Sequence, residues 1–240
     1  MIWHHALCGP WRAENQDRTV FARDRTLVVG VVDGMGGGVD GAAAAELAVE
    51  VFGRLAERTL CEDAAQRSAL EAHQAIVAER AERGHLEQMG AVATVFWVDV
   101  DHPGWPYLVI HVGDARGFAF SPDGCGRQLT RDQAAVDYGE LPDSVALERP
   151  LRNYVTAALG SGGDAQVAAG RLEPGSVLLA ASDGVGDYLP RIRMAALVGR
   201  HVAVGELGRA VLAAALARQQ LLQRGDNLAV AVLRRPYPCT

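Results

Sequence analysis

The sequence predicts an α+β fold in which antiparallel sheets carry helices on their outer faces. Three observations predict it. Several strand-length runs rich in β-branched residues occur, each bounded by Gly, Asp or Pro. Two helical stretches follow one another with no strand between them. The later strands then come in close succession, unlike the strict β-α-β alternation of a parallel sheet.

A first strand is expected to order His4 and His5. Leu27 to Val32 is the first clear apolar run. Gly41 to Leu60 opens on Ala42 to Ala45 and continues through Leu47, Val51, Phe52 and Leu55 at helical spacing. Alanine is the best helix former, so a helix is predicted. Glu62 to Arg83 places Ala65, Ala69, Ala72 and Ile76 among charges and reads as a second helix. Val92 to Val100 and Tyr107 to Val112 read as strands. Arg116 to Phe120 is another, expected to pair with its predecessor across the Gly113-Asp114 turn. Thr130 to Asn153 is polar, contains Pro142 and Pro150, and fits neither period. It is expected to be a short surface flap. Val177 to Ala181 is a strand, Ile192 to Val198 a short helix, Glu206 to Gln223 a longer one, and Leu228 to Leu233 the last strand.

The 240 residues suit one core, and a single domain over 1–240 is expected. With 23 basic and 29 acidic residues the net charge is −6, which disfavours sequence-independent binding to nucleic acid. Every basic residue is arginine. That excludes a Walker-type phosphate lysine, a Schiff-base lysine and a kinase lysine. Cys8, Cys61, Cys125 and Cys239 form no C-x-x-C pair, so neither zinc nor a disulfide scaffold is signalled. The N-terminus lacks a signal-peptide pattern, and no apolar run reaches membrane-spanning length. A cytoplasmic monomer without membrane contact is expected.

The informative pattern is the position of the aspartates. Asp33 ends the first clear run, Asp114 follows the Tyr107 strand, Asp183 follows the Val177 strand, and Asp226 precedes the last strand. Asp-Gly is also ordinary turn chemistry, and Asp33-Gly34, Asp123-Gly124 and Asp183-Gly184 all fit it. Asp123-Gly124, flanked by Pro122 and Gly126, is read as a plain turn. The others recur too regularly at strand ends for that reading. Two unit charges about 4 Å apart repel by roughly 4 kcal/mol at an effective dielectric near 20. Gathered carboxylates therefore raise their pKa values or bind cations. Oxygen ligands without a His-x-x-x-His pair point to magnesium or manganese rather than zinc.

Gly36-Gly37-Gly38-Val39-Asp40-Gly41 matches the dinucleotide pattern G-x-G-x-x-G between a strand and a helix. Asp33 would face the pyrophosphate there, and no strand follows the first helix to complete a β-α-β unit. A nucleotide-binding oxidoreductase is therefore disfavoured.

Seven segments, read in order, resemble the metal-dependent serine/threonine protein phosphatases of the protein phosphatase 2C family in its compact bacterial form. They are Arg12-Ala13-Glu14-Asn15-Gln16-Asp17, Asp33-Gly34-Met35-Gly36-Gly37, Gly90-Ala91-Val92-Ala93-Thr94, Gly113-Asp114-Ala115-Arg116, Leu129-Thr130-Arg131-Asp132, Ser182-Asp183-Gly184-Val185-Gly186-Asp187 and Gly225-Asp226-Asn227. Each is short, but their number, order and spacing make the likeness specific.

The resemblance implies a four-layer α-β-β-α sandwich with Mg2+ or Mn2+ at one end. It implies catalytic roles for Arg12, Asp33, Asp183 and Asp226. Asp33 would bridge two metals, the Gly34 carbonyl would complete one coordination sphere, and Asp183 and Asp226 would hold the other metal. Asp17 would join through water, and Asp114 with Asp187 would hold a third, weaker ion. Arg12 would clamp the substrate phosphate, a task suited to the paired donors of guanidinium. The implied reaction is direct attack on phosphorus by a metal-bridging hydroxide, with no phosphoenzyme. The implied partner is a phosphorylated protein, opposing a serine/threonine kinase.

The chain departs from the family pattern at several points. Met35 stands where many eukaryotic relatives carry a histidine proposed as general acid. Gln16 replaces the usual glutamate and adds no negative charge, so weaker metal affinity is expected. Ala115 replaces a common serine and Gln133 a common histidine. His111, alternating with Ile110 and Val112, is expected to be structural or to support a neighbouring group rather than to be a ligand. The alternative reading is a catalytically silent interaction or metal-sensing domain of the same fold.

Overall fold

The computed structural model describes residues 1–35, 39–84, 89–134 and 155–238. In chain order the strands are β1 (Ile2–Leu7), β2 (Asp17–Arg23), β3 (Leu27–Met35), β4 (Gly90–Val98), β5 (Pro106–Val112), β6 (Arg116–Phe120), β7 (Gly126–Gln128), β8 (Gln166–Arg171), β9 (Val177–Ala181) and β10 (Leu228–Arg234). The α-helices are α1 (Val39–Gly53), α2 (Glu62–Arg83), α3 (Asp183–Gly186), α4 (Arg191–Arg200) and α5 (Val204–Leu222). A 3-10 turn, Arg54–Glu57, follows α1.

The strands form two five-stranded sheets, ordered β1-β10-β9-β6-β7 and β2-β3-β4-β5-β8. Every pairing between these strands is antiparallel. The expected four-layer sandwich is therefore the observed one. It also leaves no β-α-β unit among the described residues for the glycine pattern to serve. Gly36, Gly37 and Gly38 themselves lie outside those residues.

Three apolar interfaces make the four layers, and side-chain alternation along each strand builds them. In β4, Ala91, Ala93, Val95 and Trp97 face α1 and α2. Val92, Phe96 and Val98 face the other sheet. In β10, Leu228, Val230 and Val232 face α4 and α5, while Ala229, Ala231 and Leu233 face inward. Both faces of these strands are covered, which is why they read as unbroken apolar runs. Trp97 is fully buried, and its indole N–H donates to Thr26 Oγ1 at 2.6 Å.

The helix Glu62–Arg83 stands as expected. The helix expected over Gly41 to Leu60 stops at Gly53, and the chain tightens into the 3-10 turn. The strand expected to end at Asp33 runs on to Met35, because Gly34 and Met35 pair with Ala91 and Gly90. One expectation is overturned. β6 does not pair with β5; it pairs with β9 and β7 in the other sheet. The Gly113–Ala115 link, with Gly113 at φ +95°, is a crossing between layers and not a hairpin turn. Three strands fall outside the expected set. β8 is an edge strand whose residues are half-buried or exposed, β7 has three residues, and β2 opens on Asp17-Arg18. None presents the apolar run on which strand prediction depends.

The expected flap at 130–153 lies mostly outside the described residues. Its base is described: Ala134 bridges Val155, and the Thr156 N–H donates to the Gln133 carbonyl at 2.7 Å. Among the described residues, no helix is long and apolar enough to cross a membrane.

Candidate active site and its carboxylate cluster

Asp17 opens β2 and sits directly opposite Asp33 of β3 in the ladder. Directly opposed residues share a face, so the second sheet brings these two carboxylates together. The first sheet supplies the others. Asp183 begins α3 after β9, Asp187 follows α3, and Asp226 lies in the loop before β10. Asp114 lies on the crossing between the sheets.

Ser182 ties the two sheets at this point. Its hydroxyl donates to Asp17 Oδ2 at 2.7 Å and accepts the Ala229 N–H at 2.9 Å. Asn227 ties the N-terminal loop to the Asp226 loop. Its Oδ1 accepts the Gly9 N–H at 3.1 Å, and its Nδ2 donates to the Glu14 carbonyl at 3.0 Å. Asn15 Oδ1 accepts the Asp17 N–H at 3.1 Å. Arg12, on the same loop, forms an ion pair with Asp226.

Electrostatics show that the aspartates share one region. Burial pushes the Asp17 carboxyl up to about 7, with repulsion from Asp226 adding and the Ser182 hydrogen bond opposing. Burial raises Asp33 well above the ordinary range, reinforced by Asp17, Asp183, Asp114 and Asp226. Asp183 rises likewise through burial, then through Asp226, Asp114, Asp187 and Asp17. Asp114 is pushed up to about 7 by burial and by Asp187 and Asp132. Repelling carboxylates at strand ends are a site waiting for positive charge.

Two cations of the protein answer part of that repulsion. Arg12 faces Asp226. Arg116 forks onto Asp132, with Nε–Oδ1 at 3.1 Å and Nη2–Oδ2 at 2.6 Å, and reaches Asp187 Oδ1 at 3.0 Å. Among the described residues, no three His, Cys, Asp or Glu side chains are drawn into a ready metal cage. The set still fits hard cations on two counts: its donors are carboxylate oxygens, and Asp183 Oδ1 is buried without a hydrogen-bond partner.

Gly34 lies where β3 meets the start of α1. A Cβ there would stand 2.0 Å from the Gly41 carbonyl oxygen and 3.0 Å from that of Gln16. Backbone-to-backbone contact thus fixes the loop carrying Gln16 and Asp17. His111 is buried between Thr94 Oγ1 at 2.9 Å and the Arg131 carbonyl at 3.0 Å, and burial lowers its pKa. It clamps the crossing to the flap base, the structural part expected of it. Gln133 helps, accepting the Gly113 N–H at 2.7 Å.

Sequence reasoning missed Ser182, Asn227, Asn15 and the Arg116–Asp132 pair as supports. The signal was available, since each is a polar residue inside one of the short segments flanking an aspartate.

The family model for protein phosphatase 2C matches residues 12–221. The chain belongs to the protein phosphatase 2C family. The serine/threonine phosphatase stp of Listeria innocua is 28% identical over 201 residues, covering 78% of each chain. The serine/threonine protein phosphatase PstP of Mycobacterium tuberculosis is 30% identical over 190 residues, 75% of this chain but 35% of that longer protein. Solved structures share the fold. The Mycobacterium tuberculosis phosphatase PstP/Ppp superposes with a TM-score of 0.84 at 23% identity, covering 99% of both chains. The catalytic domain of PstP in complex with two manganese ions gives 0.80 at 23% identity, covering 97% of this chain and 96% of that one. The six family-like segments between Arg12 and Asp187 lie within the matched span, and Gly225-Asp226-Asn227 lies just beyond it.

Proposed function

We propose that this protein phosphatase 2C member hydrolyses phosphoserine and phosphothreonine in proteins with a pair of Mg2+ or Mn2+ ions. The observation that carries the reading is the buried, unpartnered Asp183 Oδ1 amid Asp17, Asp33, Asp114 and Asp226. In this reading Asp33, Asp183, Asp226 and the Gly34 carbonyl hold the two ions, Asp17 assists through water, and Asp114 with Asp187 serve a weaker third. Bound there, such ions supply charge stabilisation for phosphoryl oxygens and an acidified water.

The chain's own residues do the rest. Arg12 offers paired N–H donors to phosphate oxygens, and Asp226 holds its guanidinium at the mouth of the site. Ser182 fixes one Asp17 oxygen and so aims the other. Asn227 keeps the Arg12 loop and the Asp226 loop in one unit. Water attacks phosphorus in line and gives a proton to solvent, the P–O bond to the seryl or threonyl oxygen breaks with its electron pair staying on that oxygen, and that oxygen takes a proton from solvent. No phosphoenzyme forms. We place this catalytic domain, with its flap at 130–153, in the cytoplasm as a monomer opposing a serine/threonine kinase. Free, exposed Cys8, Cys61 and Cys125 suit a reducing compartment.

The test is hydrolysis of a phosphothreonine peptide with manganese present. Turnover is expected, lost on chelation and restored by manganese. Folded protein that binds manganese without turnover overturns the reading in favour of a silent domain.

A further inference from the structure

Away from the carboxylates, α4 and α5 enclose a groove of about 410 Å³ that the proposed reaction does not use. Its floor is apolar, with Leu189, Pro190 and Leu197, and Leu221 at its edge is 72% exposed. Its rim carries Arg193, Arg200 and Arg218. Its lining contains no acidic residue. Among the described residues, none of these three guanidinium groups has an ion-pair partner, in a chain whose net charge is −6. Helix α4 itself bears Arg191, Arg193 and Arg200 and no acid. Of its arginines, Arg191 is occupied, donating to the Gly126 carbonyl and pinning α4 to β7.

An apolar slot rimmed by unpaired cations selects a partner with the complementary pattern. A concave slot of this size takes a side-chain anchor, whereas a lipid surface asks for a flat or convex face. One short run of chain links the groove to the candidate active site. The run from Asp183 to Pro190 begins with the site's carboxylates and ends as the groove wall. The groove wall at Pro190 therefore lies within about 25 Å of Asp183, the reach of seven extended residues.

We propose that the α4–α5 groove docks an acidic segment of the phosphoprotein substrate, carrying a large apolar anchor such as leucine, apart from the phosphorylated residue. This rests on the phosphatase reading for its meaning, but binding to the groove is measurable without turnover. Docking of this kind raises the effective concentration of the phosphorylated residue and leaves the chemistry untouched.

The probe is a fluorescein-labelled peptide of Asp and Glu with two leucines, followed by polarisation. It is expected to bind wild-type protein and to weaken roughly tenfold or more in Arg193→Glu/Arg200→Glu/Arg218→Glu, and also when its leucines become serine. The neutral triple Arg193→Gln/Arg200→Gln/Arg218→Gln gives an intermediate loss and keeps the test readable if charge reversal unfolds α4. With the same acidic segment joined to a phosphothreonine peptide, KM is expected to rise about tenfold in the reversal variant while kcat holds. Turnover of p-nitrophenyl phosphate, which has nothing to dock, is expected to stay at the wild-type rate. Equal peptide binding by wild type and reversal variant overturns the proposal. So does variant-sensitive binding to anionic phosphatidylserine vesicles with none to the peptide. Peptide binding with no hydrolysis of any substrate supports the groove and overturns only the phosphatase reading.

Discussion

Two Asp-Gly dipeptides, Asp123-Gly124 and Asp183-Gly184, occupy opposite circumstances in this protein. The first closes an exposed turn between β6 and β7. Gly124 takes φ +85°, the Ser121 N–H donates to the Cys125 carbonyl at 2.8 Å, and the Cys125 N–H donates to Asp123 Oδ1 at 3.1 Å. The Ser121 hydroxyl and that N–H hold the Asp123 carboxyl below its usual range. The second begins a helix inside the carboxylate cluster, and burial drives Asp183 the other way. Gly184 is needed there for space, since a Cβ would stand 1.8 Å from the Asn227 carbonyl oxygen. The same two residues serve a turn in one place and a charged site in the other. The difference lies wholly in what the fold sets around them.

The largest expected effect separates the two aspartates by turnover. Asp183→Asn, and equally Asp33→Asn, should lower kcat on p-nitrophenyl phosphate with manganese by roughly 10³-fold or more. Steady-state assays check it, and a loss under tenfold would break the distinction between the two dipeptides.

The glycines should separate by stability. Gly184→Ala forces a backbone clash and should cost upwards of about 3 kcal/mol. Gly124→Ala only strains a left-handed φ and should cost about 1 kcal/mol. Urea titration measures both.

Arg12→Ala should lower kcat/KM by about a hundredfold, with Arg12→Lys recovering part of it, because lysine keeps the charge and loses the fork. Its ion pair with Asp226 is partly exposed, so little change in stability should accompany the loss.

A pH experiment then sharpens the electrostatic contrast. In chelated protein, Asp17 and Asp114 keep their protons up to about pH 7, whereas the unfolded chain loses them near 3.8. The folded state therefore binds more protons across that window. The stability these two groups contribute is greatest below the unfolded pKa and is lost as pH rises toward 7. Thermal melts should show Tm falling over this range, and manganese should restore it at neutral pH. Asp33→Asn should flatten the slope by removing one group whose own pKa is raised in the folded state.

The smallest expected effect belongs to the exposed turn. Asp123→Asn should leave turnover within about twofold of wild type and lower Tm only slightly. A large loss there would mean that the turn takes part in the site after all.

Much of the fold was legible from period alone. β4, β9 and β10 carry apolar side chains on both faces, and α2 repeats its alanines at helical spacing, so local pattern and final structure agree. β8 and β7 were not legible, because an edge strand or a three-residue strand buries too little to leave an apolar signature. The β5–β6 pairing failed for a different reason. A short link after a strand reads as a hairpin, and nothing local distinguishes a hairpin from a crossing between sheets. Gly113 pressed against Val92 and the His111 clamp make it a crossing, and both contacts are long-range.

The chain order of residues was enough to determine the helices, the apolar strands, the family and the carboxylates worth suspecting, because period and short polar segments are local properties. Which carboxylates meet was settled only in three dimensions. Asp17 reaches Asp33 through strand register, Asp183 reaches Asp17 through Ser182, and Asp187 turns to Arg116. Those meetings depend on pairings between residues far apart in the chain, where packing and desolvation, rather than local propensity, choose the partner.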